Sequence, residues 1–235
     1  GRAFSPFARA EWMGRLGDRS IAGHLRELGG EFVGLPFGSS PPPEDLPEAW
    51  QRAVGTQQNA TPHGPSADLE WEIVSAESGQ AHLRLEYDKD SPVLRLDRWI
   101  WGRKGSPCLN FQLDIHARHD ARVSVGLHPI FKLPETPGRL ELITSFEQGL
   151  TYPGRIPAHR MITIPNKAFS SLAAVPGPEG TVDLSHLPLA YPVEDVALLG
   201  GVERSIVLRY LDEEVEVELD WDRGVIPSAQ LWISD

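Results

Sequence analysis

The chain has a single cysteine, Cys108, so no disulfide can form within it and no cysteine pair is available for a zinc ribbon. No stretch approaches the roughly 18 consecutive apolar residues of a membrane-spanning helix. Positive charge is scarce. With 22 Lys and Arg against 33 Asp and Glu, the formal charge is −11, which repels a phosphate backbone and an anionic lipid surface and so excludes nucleic acid and membrane as expected partners. There is no G-x-G-x-x-G, no Walker loop and no G-x-S-x-G, which leaves dinucleotide, nucleotide and α/β-hydrolase chemistry nothing to rest on. Helical periodicity is hard to find anywhere along the chain. A small, uncharged ligand is compatible with all of these absences, as is a soluble protein of the reducing cytoplasm. The first residue is Gly1 and not Met, so a preceding segment would be invisible here.

What the sequence does contain is turns and alternation. It holds 22 glycines and 21 prolines, which favours many short elements, while 40% hydrophobic residues can still fill a core. Val215, Val217, Leu219 and Trp221 alternate with Glu214, Glu216, Glu218 and Asp220, the pattern of a strand with one wet face. Ala81, Leu83, Leu85 and Tyr87 alternate with His82, Arg84, Glu86 and Asp88, and the Asp90-Ser91-Pro92 turn leads into a further strand through Leu94 and Leu96. Strands are also expected at Leu69–Ser75, Leu109–Ala117, Arg122–Leu127, Arg139–Thr144, Arg160–Ile164, Val196–Leu199, Ser205–Leu211 and Ala229–Ile233. This density predicts an all-β fold, an antiparallel β-sandwich with little helix, spanning residues 1–235 as a single domain. Two segments read as irregular: Pro41–Trp50, with one helical turn, and Asn166–Pro192.

Short motifs add little one at a time. His116 and His119 form an H-x-x-H, but three residues along a strand point to opposite faces, so the pair reads as a solvated strand end and no metal is expected. Asn59-Ala60-Thr61 is followed by Pro62 and reads as loop chemistry. Three longer segments are more specific in combination: LGGEFVGLPFG at 28–38, HGPSADLEW at 63–71 and GLHPIFKLP at 126–134. In this order and spacing they resemble the aldose 1-epimerase (galactose mutarotase-like) superfamily, nearest to its branch of glucose-6-phosphate 1-epimerase-related proteins. The resemblance implies a mutarotase-like supersandwich, no cofactor, and a sugar as the ligand.

Interconversion of α and β anomers needs an acid at the ring oxygen and a base at the anomeric hydroxyl, and imidazole suits the first role because its pKa lies near working pH. By resemblance His128 is that acid and His63 holds the sugar. The resemblance also makes Asp195, in YPVEDVALL and next to Glu194, the residue expected to bind sugar hydroxyls, and Trp71 and Trp232, near family motifs, are expected as platforms for the apolar face of the ring. The family's base is a glutamate beyond a strand like Leu231-Trp232-Ile233, whereas this chain stops at Asp235, so the resemblance implies clipping at both ends. The arginines that hold a 6-phosphate in the branch are replaced by Leu28 and by the Ala67-Asp68 pair, which points to an unphosphorylated sugar. A non-catalytic sugar-binding or regulatory sandwich that kept the cleft is the alternative, and a sandwich used for protein contacts is a third.

Overall fold

The computed structural model describes residues 4–18, 20–38, 62–153 and 161–234. Strands make up 44% of the described residues against 6% helix, and among these residues the sheets are antiparallel and none closes into a barrel. Alternation and turn density thus lead to the all-β architecture expected of them. The contacts divide the described residues into two compact units, one of 4–8, 131–153 and 161–234, the other of 9–38 and 62–130.

The first unit is a sandwich of two four-stranded sheets. One has β7 (Leu140–Ile143), β12 (His186–Leu187), β14 (Ile206–Tyr210) and β15 (Val215–Leu219) in the order β12-β7-β14-β15; the other has β8 (Phe146–Thr151), β9 (Ala168–Phe169), β13 (Glu194–Val202) and β16 (Ala229–Ser234) in the order β16-β13-β8-β9. Leu140, Leu142, Leu208 and Tyr210 from the first sheet meet Phe169, Ala197, Leu199, Val202 and Ile233 from the second in one buried core. The Glu216 and Glu218 carboxylates stay exposed while Val215, Val217 and Leu219 are half-buried, as their alternation predicts.

Two expectations for this unit fail for identifiable reasons. Residues 166–192 are not irregular: they carry β9, β10 (Val175–Gly177), β11 (Gly180–Val182) and β12, because Leu172, Val175, Leu184 and Leu187 plug into the core and pin short pairings. Residues 161–164 form no strand, since the Ile162 and Thr163 amides donate to the Asp195 carboxylate instead of a neighbouring chain. The turn expected within Pro41–Trp50 lies outside the described residues.

The second unit is a four-stranded meander plus a two-stranded ribbon. The meander runs β2 (Glu72–Glu77), β3 (Gln80–Glu86), β4 (Val93–Gly102) and β5 (Leu109–Ala117) in sequence order; the ribbon pairs β1 (Glu31–Gly34) with β6 (Gly126–Pro129). Val33, Leu35, Leu85, Val93 and Leu96 form its buried core, with Trp71, Tyr87, Leu113, Val123 and Val125 packed around them. On the sheet face opposite Leu96 lies Asp97, buried, which accepts from Arg84 and Arg95 at 2.9 Å and faces His82 at 2.7 Å and His116 at 3.1 Å. Burial alone would raise the Asp97 pKa, but the hydrogen bonds from Arg95, His82 and Arg84 outweigh it and hold the carboxyl well below the usual range. His116 therefore belongs to an ion cluster. His119 sits at the exposed loop beyond it.

Candidate functional site

The three motif segments come together within the second unit. β1 belongs to the first, β6 to the third, and they pair with Phe32 opposite His128 and Gly34 opposite Gly126. The second segment supplies α2 (Pro65–Asp68), which packs on β1. Ser66 makes this junction: its buried hydroxyl accepts from the Leu35 amide at 2.8 Å and donates to the Val33 carbonyl at 2.7 Å. Tyr87 adds a hydrogen bond to the Leu35 carbonyl at 2.6 Å, and burial pushes its hydroxyl up to about 12.

The motif glycines follow from this crowding. A Cβ at Gly126 would lie 2.6 Å from Cγ of Phe37, and one at Gly34, its register partner, would strike the same ring. Gly64 has φ +69°, and a Cβ there would meet the Leu35 and Pro36 carbonyl oxygens at 2.5 Å. Small residues at these three places let an aromatic ring and a tight turn close around the ribbon.

The aromatic and imidazole rings then cluster. The His63 and His128 centroids are 5.6 Å apart; Phe32 stacks on His128 at 4.3 Å with 15° between the planes, and Phe37 lies 5.6 Å from His63. A third imidazole, His24 of α1 (Gly23–Arg26), has its centroid 4.5 Å from His63 and 5.8 Å from Phe32. Its Nδ1 stands 2.6 Å from Oδ1 of Asp68, which also accepts from the His24 amide at 3.2 Å. The two short helices approach so closely that a Cβ on Gly23 would collide with the Asp68 backbone. Two open surface hollows of the same unit are lined by other residues, one by Ser78, Arg103, Lys104 and Cys108, the other by Glu70, Glu72 and Arg84.

Burial sets the charge of the two predicted histidines. His63 is 7% exposed, and desolvation, helped by repulsion from His24 and His128 and opposed by Asp68, lowers its pKa to about 4. The His128 pKa is also lowered, first by desolvation and further by His24. Both rings are therefore neutral at neutral pH, a state in which an imidazole accepts a proton more readily than it gives one.

No family model, curated protein or solved structure matches the chain. Among the described residues no three His, Cys, Asp or Glu side chains are disposed to share a metal ion, and no helix is long and apolar enough to cross a membrane.

Of the other predicted site residues, Trp71 belongs to this unit. Its ring nitrogen donates to the Ser66 carbonyl at 2.9 Å and its ring packs on the Val33–Leu96 core, so it braces α2. Asp195 and Trp232 belong to the sandwich unit. Asp195 is wholly buried; its oxygens accept from the Ile162, Thr163 and Val196 amides and from the Thr163 hydroxyl, at 2.7–3.1 Å, which makes it the anchor of the 162–163 backbone. Glu194 next to it is the more open carboxylate, accepting from the Trp232 ring nitrogen at 2.5 Å and the Ser234 hydroxyl at 2.7 Å, with Trp232 itself 47% exposed.

Two arginines could have replaced the missing phosphate clamp. Arg98 instead donates to Glu31 at 2.6 Å and lies 5.0 Å over the Phe111 ring, and Arg118 is bonded to the Tyr87, Asp88 and Ser91 carbonyls. Glu31 and Phe32 are adjacent on β1, so the Arg98 ion pair and the His128 stack lie on opposite faces of the ribbon. Burial raises the Glu31 pKa and the Arg98 charge opposes it.

His24 and Asp68 are the residues that reading the sequence did not bring into the site. HLRE and SADLE carry no spacing signal, and 44 positions separate the pair.

Proposed function

We propose that this protein is an aldose 1-epimerase-like isomerase that interconverts the α and β anomers of an unphosphorylated sugar. The observation that carries the reading is the convergence of the three motif segments on one cluster, with the His63 and His128 rings 5.6 Å apart and Phe32 and Phe37 against them. Neutral imidazoles among aromatic faces suit a polyhydroxyl ligand: the rings meet its apolar C–H face and the ring nitrogens exchange protons with its oxygens. The Asp68 carboxylate at this cluster supports an uncharged substrate, because it would repel a phosphate dianion while Arg98 and Arg118 are engaged elsewhere.

Polarimetry tests the proposal. Added to freshly dissolved α-glucose, α-galactose, α-mannose and α-xylose, the protein should accelerate the approach to anomeric equilibrium for at least one, and act on glucose at least as well as on glucose 6-phosphate. No acceleration of any of them refutes the epimerase reading and favours the non-catalytic sugar-binding sandwich. A clear preference for the phosphate refutes the neutral-sugar assignment.

A further inference from the structure

The meander has a second face, turned away from the ribbon. Val93 and Leu96 pack inward against Val33 and Leu35, while Phe32 and His128 lie on the far side of the ribbon, so two layers of backbone separate this outer face from the imidazole cluster. Across the outer face, Arg84 stands opposite Asp97, His82 opposite Trp99 and Trp101 opposite Asn110. On β3, β4 and β5 it carries no aliphatic side chain, and Trp99 and Trp101 are its apolar surface. These two differ from the other described tryptophans. Trp12, Trp71, Trp221 and Trp232 each give the ring N–H to an oxygen of the protein. The ring nitrogens of Trp99 and Trp101 have no acceptor among the described residues, although both rings are half-buried and such a donor ordinarily finds one.

The surroundings of the two rings are fixed in advance. Trp99 stacks on His82 with centroids 3.8 Å apart and 7° between the planes. His82 and the Nε atoms of Arg84 and Arg95 converge on the buried Asp97 carboxylate at 2.7–2.9 Å. Only Nε of Arg84 is spent there, so its terminal nitrogens remain as donors, on a side chain 34% exposed. Exposed carboxylates flank the same strands: Glu72 is across from Arg84 and Glu86 across from Arg95. This mixture selects among ligand classes. A phosphate or a uronate offers acceptors alone and is repelled by Glu72, Glu86 and Asp114; a lysine-rich peptide offers donors alone and is repelled by Arg84 and Arg95. A hydroxyl group both donates and accepts, so neighbouring hydroxyls satisfy a carboxylate and a guanidinium together while the C–H face of the sugar lies on an indole.

We propose that the outer face of the meander binds a neutral oligosaccharide chain, with Trp99 and Trp101 as its stacking platforms. This site goes beyond the epimerase reading and does not depend on it. The two tryptophans are two positions apart on one strand, about 7 Å, so a chain of sugar units, and not a single ring, is needed to cover both. The free indole N–H groups and Arg84 donate to its hydroxyl oxygens, and Glu72 and Glu86 accept from its hydroxyl hydrogens.

The test follows the indole N–H resonances by heteronuclear NMR, assigned with Trp99→Phe and Trp101→Phe, as cellohexaose, maltohexaose, mannohexaose and xylohexaose are added in turn. At least one of them should shift the Trp99 and Trp101 signals saturably and leave that of Trp71, whose N–H is held by the Ser66 carbonyl, in place. In calorimetric titration with that hexamer, Trp101→Ala should weaken binding about 10-fold or more; if this variant does not fold, the wild-type shifts decide alone. The proposal is overturned if Trp99 or Trp101 stays unshifted by all four hexamers, or if folded Trp101→Ala binds within twofold of wild type. Tighter binding of hexagalacturonate than of every neutral hexamer overturns the neutral class. A protein that binds a hexamer here but accelerates no aldose refutes the epimerase reading alone, and one that exchanges anomers without these shifts refutes this site alone.

Discussion

Acidification should weaken this protein through His63 in a way that can be worked from its surroundings. The ring is buried among Phe32, Phe37, His24 and His128, and its pKa is lowered from 6.5 to about 4, by desolvation first and by the two imidazoles next. The unfolded chain regains the ordinary value. Between pH 6.5 and 4 the unfolded state therefore binds one more proton than the folded one at this residue, so stability falls as pH falls; above 6.5 the neutral ring contributes fully, and below about 4 the loss is complete. The difference corresponds to ~3 kcal/mol. The assay is urea denaturation at pH 7 and pH 4 of the wild type and of His63→Asn, which cannot ionise, with the His63 Cε1–H resonance followed by NMR as a direct titration. The variant should lose ~3 kcal/mol less than the wild type over this range, the remainder belonging to other groups. A His63 resonance that titrates near 6.5, or equal losses in the two proteins, would refute the burial argument.

Two further outcomes follow from packing and from buried acceptors. Gly126→Ala drives a methyl group into the Phe37 ring and should cost about 1–3 kcal/mol in urea denaturation, while a change within 0.5 kcal/mol would mean that Phe37 does not lie on the Gly34–Gly126 pair. Asp195→Asn removes the charge that accepts the Ile162 and Thr163 amides at 2.9 Å and should destabilise the protein by about 2–4 kcal/mol, read from the same denaturation curves; a neutral substitution would show that the 162–163 backbone does not depend on it.

Much of the fold could be read from alternation because alternation is a local property. Leu109–Ala117 was expected as a strand and is one, and Val215–Leu219 keeps its carboxylates on the wet face. Where the reading failed, a long-range interaction had taken over the local one. Met161–Ile164 has the composition of a strand, but the Asp195 carboxylate, more than thirty residues away, takes two of its amides. The 166–192 segment looks irregular because its strands are two or three residues long and are held by single buried side chains such as Val175 and Leu184.

The same division runs through the site. His63 and His128 were legible through their Gly-rich contexts, and the structure explains the context: Gly34, Gly64 and Gly126 stand where a Cβ would hit Phe37 or the Leu35 carbonyl. His24 has no such context. Its place is decided by the approach of two four-residue helices, and no spacing rule connects it to Asp68. Asp195, expected as a sugar contact by resemblance, and Trp71, expected as a platform, have hydrogen bonds that no local pattern announces: one holds the backbone of 162–163 and the other the Ser66 carbonyl.

The central claim, that the clustered imidazoles exchange protons with a sugar, is tested most directly by anomer exchange in wild type and His128→Asn, compared with the affinity of each for the same aldose. The account predicts that the substitution lowers exchange at saturating sugar by at least 100-fold and affinity by no more than a few-fold, because the proton moves mainly in the transition state. Exchange that is unchanged in His128→Asn, on a sugar that the wild type demonstrably interconverts, would contradict it.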